Sequence, residues 1–315
     1  LTFVLVWYYV LEIEGLFFQH WMILFTTSCF ANLLGLNISS AFNSAVTIYI
    51  LIPLLIIPQL ILSGVVVRFD KLNPAIGNTS TVPLVGDLMA SRWAFEAAMV
   101  TQYKDNKFER DFYRYEKVMA AADYKKVYFI PELETRLQYA LNNYQNDDPA
   151  VQQKVINNLK LLAGELAEEQ VATRQPLKVL ERLTRHNFDS TIYNETQAYL
   201  ELLKKYYVRL YNQADKGKEK LIYALTDTPE KDAAFAAFRE AHHNEAIADL
   251  VKNLSETHRI IEKDGKLIQK IYPIYKDPDP DHAIDFNAQF YMPYKHFLSQ
   301  NIGTLVFNMA VIWSM

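Results

Sequence analysis

The segment AVTIYILIPLLIIPQLILSGVVV, residues 45–67, decides what kind of protein this chain is. It is apolar almost throughout, yet Pro53 and Pro58 interrupt it. A proline inside a helix removes a backbone hydrogen bond and costs about 3 kcal/mol in water, so a soluble core helix rarely tolerates two. The segment could therefore form a buried strand pair, a core helix or a membrane span.

The distribution of charged residues along the chain favours a membrane span. The 315 residues are 50% hydrophobic and 22% charged, with a formal net charge of −4, values that are typical of a soluble protein. These averages hide an uneven distribution, because no Asp, Glu, Lys or Arg lies between Glu14 and Arg68. A membrane helix needs about 20 apolar residues, and this interval is long enough for two.

The sequence predicts parts of about four spans. Two full spans are expected over residues 15–36 and 46–67, joined by the polar connection NISSAFNSA. The first residues of the chain are typical of the end of an earlier span, and NIGTLVFNMAVIWSM at the other end is typical of the start of a last one. Residues 1–67 are thus assigned to transmembrane helices, and the chain is expected to be part of a longer protein.

The remaining residues predict a large helical domain before the last span. Residues 68–103 form a connecting segment, 104–285 the helical domain, and 286–315 the return segment with the start of the last membrane helix. Apolar residues in the domain recur at steps of three and four, and sustained strand alternation is absent from the sequence. Four prolines stand near expected first helical turns, where a missing N–H costs least: Pro131, Pro149, Pro176 and Pro229. The predicted fold class is all-α.

Three features could carry chemistry, and each has a simpler interpretation. In a segment that also contains Glu240 and His243, either His242 with Glu245 or Glu245 with Asp249 could share a helix face and hold a divalent metal. The pattern is not H-E-x-x-H, and a solvated face explains it without a metal. Basic and aromatic residues alternate in LLKKYYVRLY, yet tyrosines at helical spacing commonly pack a bundle, and the net charge is negative. The single cysteine, Cys29, falls inside a span and is expected to be a packing residue. We therefore predict no metal and no nucleic-acid partner.

The motifs that bind nucleotides or build a nucleophilic triad are missing from the sequence. It contains no G-x-x-x-x-G-K-[ST], G-x-G-x-x-G or G-x-S-x-G. The residues given are therefore expected to hold no cofactor and not to form an enzyme.

Two motifs stand in a fixed order around the uncharged interval. The second full span ends in SGVV, residues 63–66, and VPLVGDLMASRWAFEAAMVTQY follows at 82–103. This order resembles the C-terminal half of G-subfamily ABC transporter permeases of the White and pleiotropic-drug-resistance type. In that family an external W-x-x-E-A helix follows the fifth membrane helix. The residues that match the external helix are Arg92, Trp93 and Glu96.

The resemblance covers residues 1–103 and 285–315. It implies that the second full span lines a translocation pathway in a dimeric permease. Its wall would include Pro53, Ile57 and Pro58, and small Ser63 and Gly64 would let helices approach closely. Val65 and Val66 would form an apolar plug that excludes water and ions, or they could simply face lipid or a neighbouring helix.

The resemblance also implies orientation and partners. The connection NISSAFNSA would be cytoplasmic and the helical domain extracytoplasmic. The large insertion resembles bacterial members of the family, which implies a protein of the bacterial inner membrane whose helical domain lies in the periplasm. Membrane lipid, a second permease copy and an ATP-binding cassette domain are the expected partners. That domain, upstream or on a separate chain, would bind ATP and Mg²⁺ and make the whole protein an ATP-driven transporter. The resemblance implies that it is an exporter.

A second hypothesis stays open. The spans could merely anchor a helical scaffold, or interaction protein, whose external domain binds a protein or a cell-envelope partner. A nucleotide-binding motif elsewhere in the full-length protein would favour the transporter.

Overall fold

The chain folds mainly into helices, as a computed structural model of residues 1–10, 14–66, 69, 81–280, 282–286 and 288–315 shows. The helices in these residues are α1 Thr2–Val10, α2 Phe17–Ala41, α3 Ala45–Ile61, α4 Leu84–Asp87, α5 Ala90–Lys104, α6 Glu109–Tyr124, α7 Ile130–Asn143, α8 Pro149–Thr173, α9 Ser190–Leu225, α10 Pro229–His242, α11 Glu245–Lys252 and α12 Thr304–Ser314. Four short strands, β1 Ile260–Lys263, β2 Lys266–Gln269, β3 Tyr294–Phe297 and β4 Gln300–Gly303, form two separate antiparallel hairpins. The prediction of a mainly helical chain is confirmed, but the helix expected to begin at Pro176 is absent: the described residues there form a loop with a short 3₁₀ turn at Leu180–Arg182. The hairpins were not predicted.

The apolar helices have different ends from the predicted spans. α2 continues to Ala41 beyond the predicted end at Leu36, so the polar connection shrinks to residues 42–44. Of the helices in the described residues, α2 is the one that is long and apolar enough to cross a membrane, whereas α3 and α12 are apolar but shorter. The 17 residues of α3 rise about 25 Å, which is less than the roughly 30 Å of a hydrocarbon core.

Ser63 explains why α3 ends early. Its hydroxyl donates to the carbonyl of Leu60 at 2.7 Å and accepts the amide N–H of Val65 at 3.2 Å. Gly64 follows with φ +81°, a left-handed conformation that glycine adopts without steric cost. The chain therefore turns at residues 63–64, where the sequence predicted a helix as far as residue 67, which lies outside the described residues.

The chain divides into two compact units. The first comprises residues 1–114, 222–255 and 272–315, and the second residues 115–221 and 256–271. This division differs from the predicted one, because parts of the predicted domain 104–285 belong to the same unit as the apolar helices.

The second unit is a helical bundle with leucine at its centre. α7 and α8 pack against each other, and their inward-facing leucines are at most 1% exposed: Leu133, Leu137, Leu159, Leu162 and Leu166. Burying each such side chain contributes about 1.5–3 kcal/mol. A π-helical turn at Lys125–Phe129 joins α6 to α7.

The core of the first unit lies among α2, α5 and α12. One cluster of buried side chains combines Ile23 of α2, Trp93 and Ala97 of α5, and Phe307 and Ile312 of α12. Helix α5 is therefore the element around which the apolar helices of this unit assemble.

Candidate functional site

Helix α5 carries the W-x-x-E-A motif, and most of it is buried. Nine of its fifteen residues are buried, so it lacks the polar outer face of an ordinary surface helix. Two of the nine are charged, Arg92 at 2% exposed and Glu96 at 0%. A buried charge is costly unless it is paired and hydrogen-bonded, so the partners of these two side chains define the site.

Glu96 is held by three groups from the last part of the chain. Its Oε1 accepts from the Lys295 ammonium at 2.7 Å and from the Tyr291 amide at 3.1 Å. Its Oε2 accepts from Asn308 Nδ2 at 3.0 Å, and the same amide nitrogen also donates to the Trp93 carbonyl at 2.9 Å. Lys295 lies on β3 and Asn308 on α12, and each is 0% exposed.

Arg92 completes the group on the other side of Glu96. Its guanidinium lies 3.4 Å from Glu96 Oε2 and 3.4 Å from Asp87 Oδ1. Its Cζ is 3.7 Å from the centroid of the Trp93 ring, a cation–π distance, and the indole N–H of Trp93 donates to the Asp87 carbonyl at 2.8 Å. We call Asp87, Arg92, Glu96, Lys295 and Asn308 the buried polar cluster.

The charged side chains of the cluster shift one another's pKa values. Burial alone would raise the pKa of Glu96, but Lys295 and then Arg92 outweigh it, so the pKa of this carboxyl lies below its usual value. Burial lowers the pKa of the Lys295 ammonium, and Glu96 opposes that effect only in part. Burial raises the pKa of Asp87 against the pull of Arg92. With Glu96 ionised, its carboxylate lies between two basic side chains, Lys295 and Arg92, and Arg92 also pairs with Asp87.

The buried polar cluster is better suited to stabilising the fold than to catalysing a reaction. Glu96 and Lys295 are fully buried, so a substrate in solvent cannot reach either one. The cluster instead ties α5 to β3 and α12 through groups that are far apart in sequence, Glu96 and Lys295 being separated by 199 residues. Breaking such a pair typically costs 3–5 kcal/mol because one charge is left buried without a partner.

The predicted pathway residues are not members of the cluster and lie on an exposed helix. Pro53 is exposed, Ile57 is 53% exposed and Pro58 is half-buried. None of the residues of α3, all of which the structure describes, is buried. Ser91 of α5 fixes α3 from one side, since its hydroxyl donates to the Gln59 carbonyl at 2.5 Å.

The predicted plug residues follow α3 in the turn. Val65 is 55% and Val66 is 68% exposed, whereas Ser63 is buried. Ser63 and Gly64 both lie in this turn, and aromatic rings approach Gly64. Their role in close helix approach stays a prediction. A Cβ on Gly64 would stand 2.7 Å from Phe290 Cε1 and 2.9 Å from Phe69 Cε2.

Phe290 connects this turn with the buried polar cluster. Its ring packs against Gly64, and the guanidinium of Arg92 lies 5.8 Å from its centroid. The adjacent residue, Tyr291, donates its amide N–H to Glu96. The structure thus brings the SGVV motif and the W-x-x-E-A motif to one aromatic side chain that sequence reasoning missed.

One other member of the site that was not predicted, Asn308, could have been found from the sequence. Asn308 is a polar residue in the apolar run that was assigned to the last span, and such residues commonly bond to neighbouring helices. Lys295 and Phe290 carry no comparable signal, because only the fold shows that they face α5.

The predicted solvated face is wrong at His242, which is buried, whereas Glu245 and Asp249 are exposed. His242 ends α10 and is 7% exposed, with its Nε2 3.6 Å from Glu14 Oε2, and His243 bonds to Glu109. Asn244 caps α11 and separates both histidines from the helix that contains Glu245. Within the described part of the chain, no group of three or more His, Cys, Asp or Glu side chains could hold a metal ion.

Residues 1–103 match the family model described as ABC-2 type transporter. The match contains α1, α2, α3 and all but the last residue of α5, with the SGVV and W-x-x-E-A motifs. No curated protein and no solved structure matches the chain. The match supports the assignment of residues 1–103 to the membrane permease part of an ABC transporter, and thus to an integral membrane protein. Proteins of this family generally work with an ATP-binding cassette protein.

Proposed function

We propose that this chain is the permease portion of an ATP-driven ABC exporter related to the G-subfamily. The observation that carries the proposal is the ABC-2 match over the segment that contains α2 and α3. The substrate would cross between two copies of the permease, and an ATP-binding cassette on the same or another polypeptide would bind ATP and Mg²⁺ and drive the cycle.

The exposed surface of α3 supports a role in lining the pathway. Its large apolar side chains form one broad exposed face of the helix: Val46, Tyr49, Ile50, Leu54, Ile57 and Leu60 are each at least 50% exposed. In water such a surface would aggregate, so lipid on one side and a second copy on the other would cover it. Pro53 and Pro58 remove backbone donors, which favours a bent helix beside a cavity.

Val65 and Val66 would act as the apolar plug at the end of this helix. An apolar constriction blocks water and ions by dewetting. The turn is held by the Ser63 hydroxyl and by Phe290 against Gly64. The buried polar cluster would transmit movement of α5 and α12 to the turn, because Arg92 and Gly64 both contact Phe290.

The helical second unit would be extracytoplasmic, and in a bacterium it would lie in the periplasm. α2 would then run inward to the connection at residues 42–44, and α3 would run outward to the plug. Labelling of single cysteines with a membrane-impermeant thiol reagent in intact cells tests this orientation. Labelling of a Val171→Cys variant, a position 78% exposed on α8, is expected without lysis.

Transport measured with the complete protein tests the function. In proteoliposomes that contain the permease and its cassette, we expect substrate-stimulated ATP hydrolysis in the wild type and its loss in Val65→Asp. Val171→Asp is the control, because it adds the same charge at an exposed position of the second unit. Wild-type coupling in Val65→Asp would overturn the plug assignment.

A different outcome would favour the scaffold hypothesis. If ATP hydrolysis by the complete protein never depends on these helices, and the second unit alone accounts for binding to a protein or envelope partner, the spans are anchors and the transporter proposal is wrong.

A further inference from the structure

Several apolar side chains around the start of α12 are exposed. Leu298, at the tip of the β3–β4 hairpin, is 65% exposed, and Ile284, in the preceding loop, is 55% exposed. Phe286 is 37% exposed, and Val306, in the first turn of α12, is 62% exposed. We call Ile284, Phe286, Leu298 and Val306 the apolar collar.

Contacts with Phe307 place the collar beside the first turn of α12. The rings of Phe286 and Phe297 lie 6.1 Å and 6.0 Å from the Phe307 ring between centroids. The amide of Ser299 donates to the carbonyl of Ala283 at 3.2 Å, which joins the hairpin tip to the loop. The hairpin therefore folds back along α12 and does not extend away from it.

The start of α12 is level with the start of α2. The indole N–H of Trp313 donates to the hydroxyl of Thr26 at 3.2 Å. Each of these residues lies nine positions after the first residue of its helix, Phe17 or Thr304. Ile312 and Met315, near the end of α12, line one pocket with Leu33 and Asn37, which lie farther along α2. The two helices therefore run parallel, and they would enter the membrane at the same face.

The dimensions place the collar at the bilayer interface. The 25 residues of α2 rise about 37 Å, so its ends extend beyond a hydrocarbon core of roughly 30 Å into the headgroup layers. Phe307 lies three residues into α12, a rise of about 4.5 Å. If both ends of α2 extend equally beyond the core, its start lies about 4 Å outside the core, so side chains beside Phe307 lie at the boundary between headgroups and acyl chains.

The hairpin turn itself is unusual for an exposed position in water. Leu298 has φ +50° and Ser299 has φ +60°, the left-handed pair that a two-residue type I′ turn requires. Asn-Gly is the favoured sequence there, and leucine is disfavoured in this conformation. An exposed leucine in a strained turn contributes no folding energy in water, whereas it would be favourable in lipid.

The charges of the hairpin tip agree with this placement, and Asp285, between Ile284 and Phe286, is the carboxylate nearest to the rest of the collar in sequence. The segment FLSQNIG, residues 297–303, contains no Asp, Glu, Lys or Arg. The nearest cation in sequence, Lys295, is fully buried against Glu96. The hairpin tip can therefore enter the interface without desolvating an unpaired charge.

We propose that the apolar collar lies in the lipid interface at the face where α2 and α12 begin, and that it anchors the start of α12 there. The occupant is the boundary between headgroups and acyl chains. This inference rests on the proposed membrane function and adds a lipid-binding hairpin to it.

Fluorescence quenching in lipid nanodiscs tests the collar. In the full chain with Cys29→Ser, an environment-sensitive thiol label is placed at Leu298→Cys, with Val171→Cys as the matched exposed control and Leu33→Cys, on the exposed surface of α2, as the membrane control. We expect the label at 298 to shift its emission to the blue and to be quenched by a shallow nitroxide on lipid. The label at 171 should instead be quenched by aqueous iodide.

The controls separate the two proposals. If the label at 33 is not quenched by lipid nitroxide, the membrane function itself is wrong. If 33 is quenched but 298 behaves like 171, the collar alone is overturned. Protection of 298 from both quenchers would mean that protein covers the collar and would also overturn the proposal. Ile284→Cys reports on the same collar if Leu298→Cys does not fold.

Discussion

At the residue scale, Gly64 shows how one missing side chain fixes a turn. Its φ of +81° lies in the left-handed region, and an added Cβ would meet the ring of Phe290 at 2.7 Å. Conformation and space therefore both require glycine. The sequence marked this position only as small, and the aromatic neighbours became visible in the structure.

Substitution of Gly64 is expected to destabilise the first unit. Gly64→Ala forces a left-handed alanine, at a cost of about 1–2 kcal/mol, and displaces the Phe290 ring in addition. The matched control is Gly164→Ala in α8, where an added Cβ meets nothing within 4 Å. That change should stabilise the chain by about 0.5–1 kcal/mol through helix propensity. Denaturant titration in mixed micelles measures both, and equal signs would contradict the account of Gly64.

Removal of the Glu96 charge is expected to cost much more than removal of a surface charge. Glu96→Gln leaves Lys295 buried without its carboxylate and should lower the free energy of unfolding by about 3–5 kcal/mol. Asp227→Asn is the control, because its ion pair with Lys231 is exposed and should contribute less than about 1 kcal/mol. A double variant, Glu96→Gln with Lys295→Met, should lose less than the sum of the single changes.

The same variant has a defined pH dependence. Because the pKa of Glu96 is below its usual value in the folded state, its stabilisation is complete at neutral pH. It is lost as pH falls through that lowered pKa. The difference between wild type and Glu96→Gln should therefore shrink in acid, and a difference that grows in acid would show that the pKa is raised instead.

At the element scale, the two hairpins show what sequence patterns can and cannot predict. The turn of β1–β2 is Asp264-Gly265, with both residues at positive φ. Asp-Gly strongly favours a hairpin, but each strand has only four residues, too few for sustained alternation in the sequence. The turn of β3–β4 is Leu298-Ser299, which no turn preference predicts. Tertiary contacts with α12 determine that second hairpin.

The β1–β2 hairpin is held to α8 by a carboxyl group in an unfavourable environment. Glu165 Oε1 accepts the amide of Leu267 at 2.6 Å. Burial raises the pKa of Glu165, and the hydrogen bond and Lys125 only partly oppose it. Since the folded pKa is above the unfolded one, the ionised group costs stability above its folded pKa and costs none below its unfolded pKa.

Glu165→Gln should therefore tighten the hairpin at neutral pH. Glutamine keeps an oxygen for the Leu267 amide and removes the buried charge. We expect slower hydrogen exchange across residues 260–269 than in wild type at pH 7, and little difference at pH 4. Glu168→Gln, at an exposed position paired with Lys266, is the control. Faster exchange in Glu165→Gln at pH 7 would show that the charge stabilises the hairpin.

At the scale of the whole molecule, the uneven distribution of charge was the main basis for predicting the membrane segments. The absence of charge between Glu14 and Arg68 predicted where the apolar helices lie, and the spacing of apolar residues predicted the helical domain. The helix ends were predicted less well, because Ser63 and Gly64 end α3 through side-chain hydrogen bonding and backbone conformation. Lys295 could not be predicted as a partner of Glu96, because pairing over 199 residues depends on the fold.

A dimeric permease predicts contact between two copies of α3. In a Cys29→Ser background, Ile57→Cys should form a cross-linked dimer in membranes with a short thiol-specific linker. Val171→Cys, which is exposed on the second unit, should not cross-link. The physical reason is the exposed apolar surface of α3, which a second copy would cover. Equal cross-linking at both positions would indicate random collision.

The span of sequence between Glu96 and Lys295 also has a consequence for biosynthesis. Translation at about 5–20 residues per second would separate the emergence of the two residues, which are 199 positions apart, by about 10–40 s. During that interval Arg92, on the preceding turn of α5, is already available to neutralise Glu96. The nascent chain would thus carry its own temporary counter-ion, and Lys295 and Asn308 would complete the set of contacts once β3 and α12 have been made.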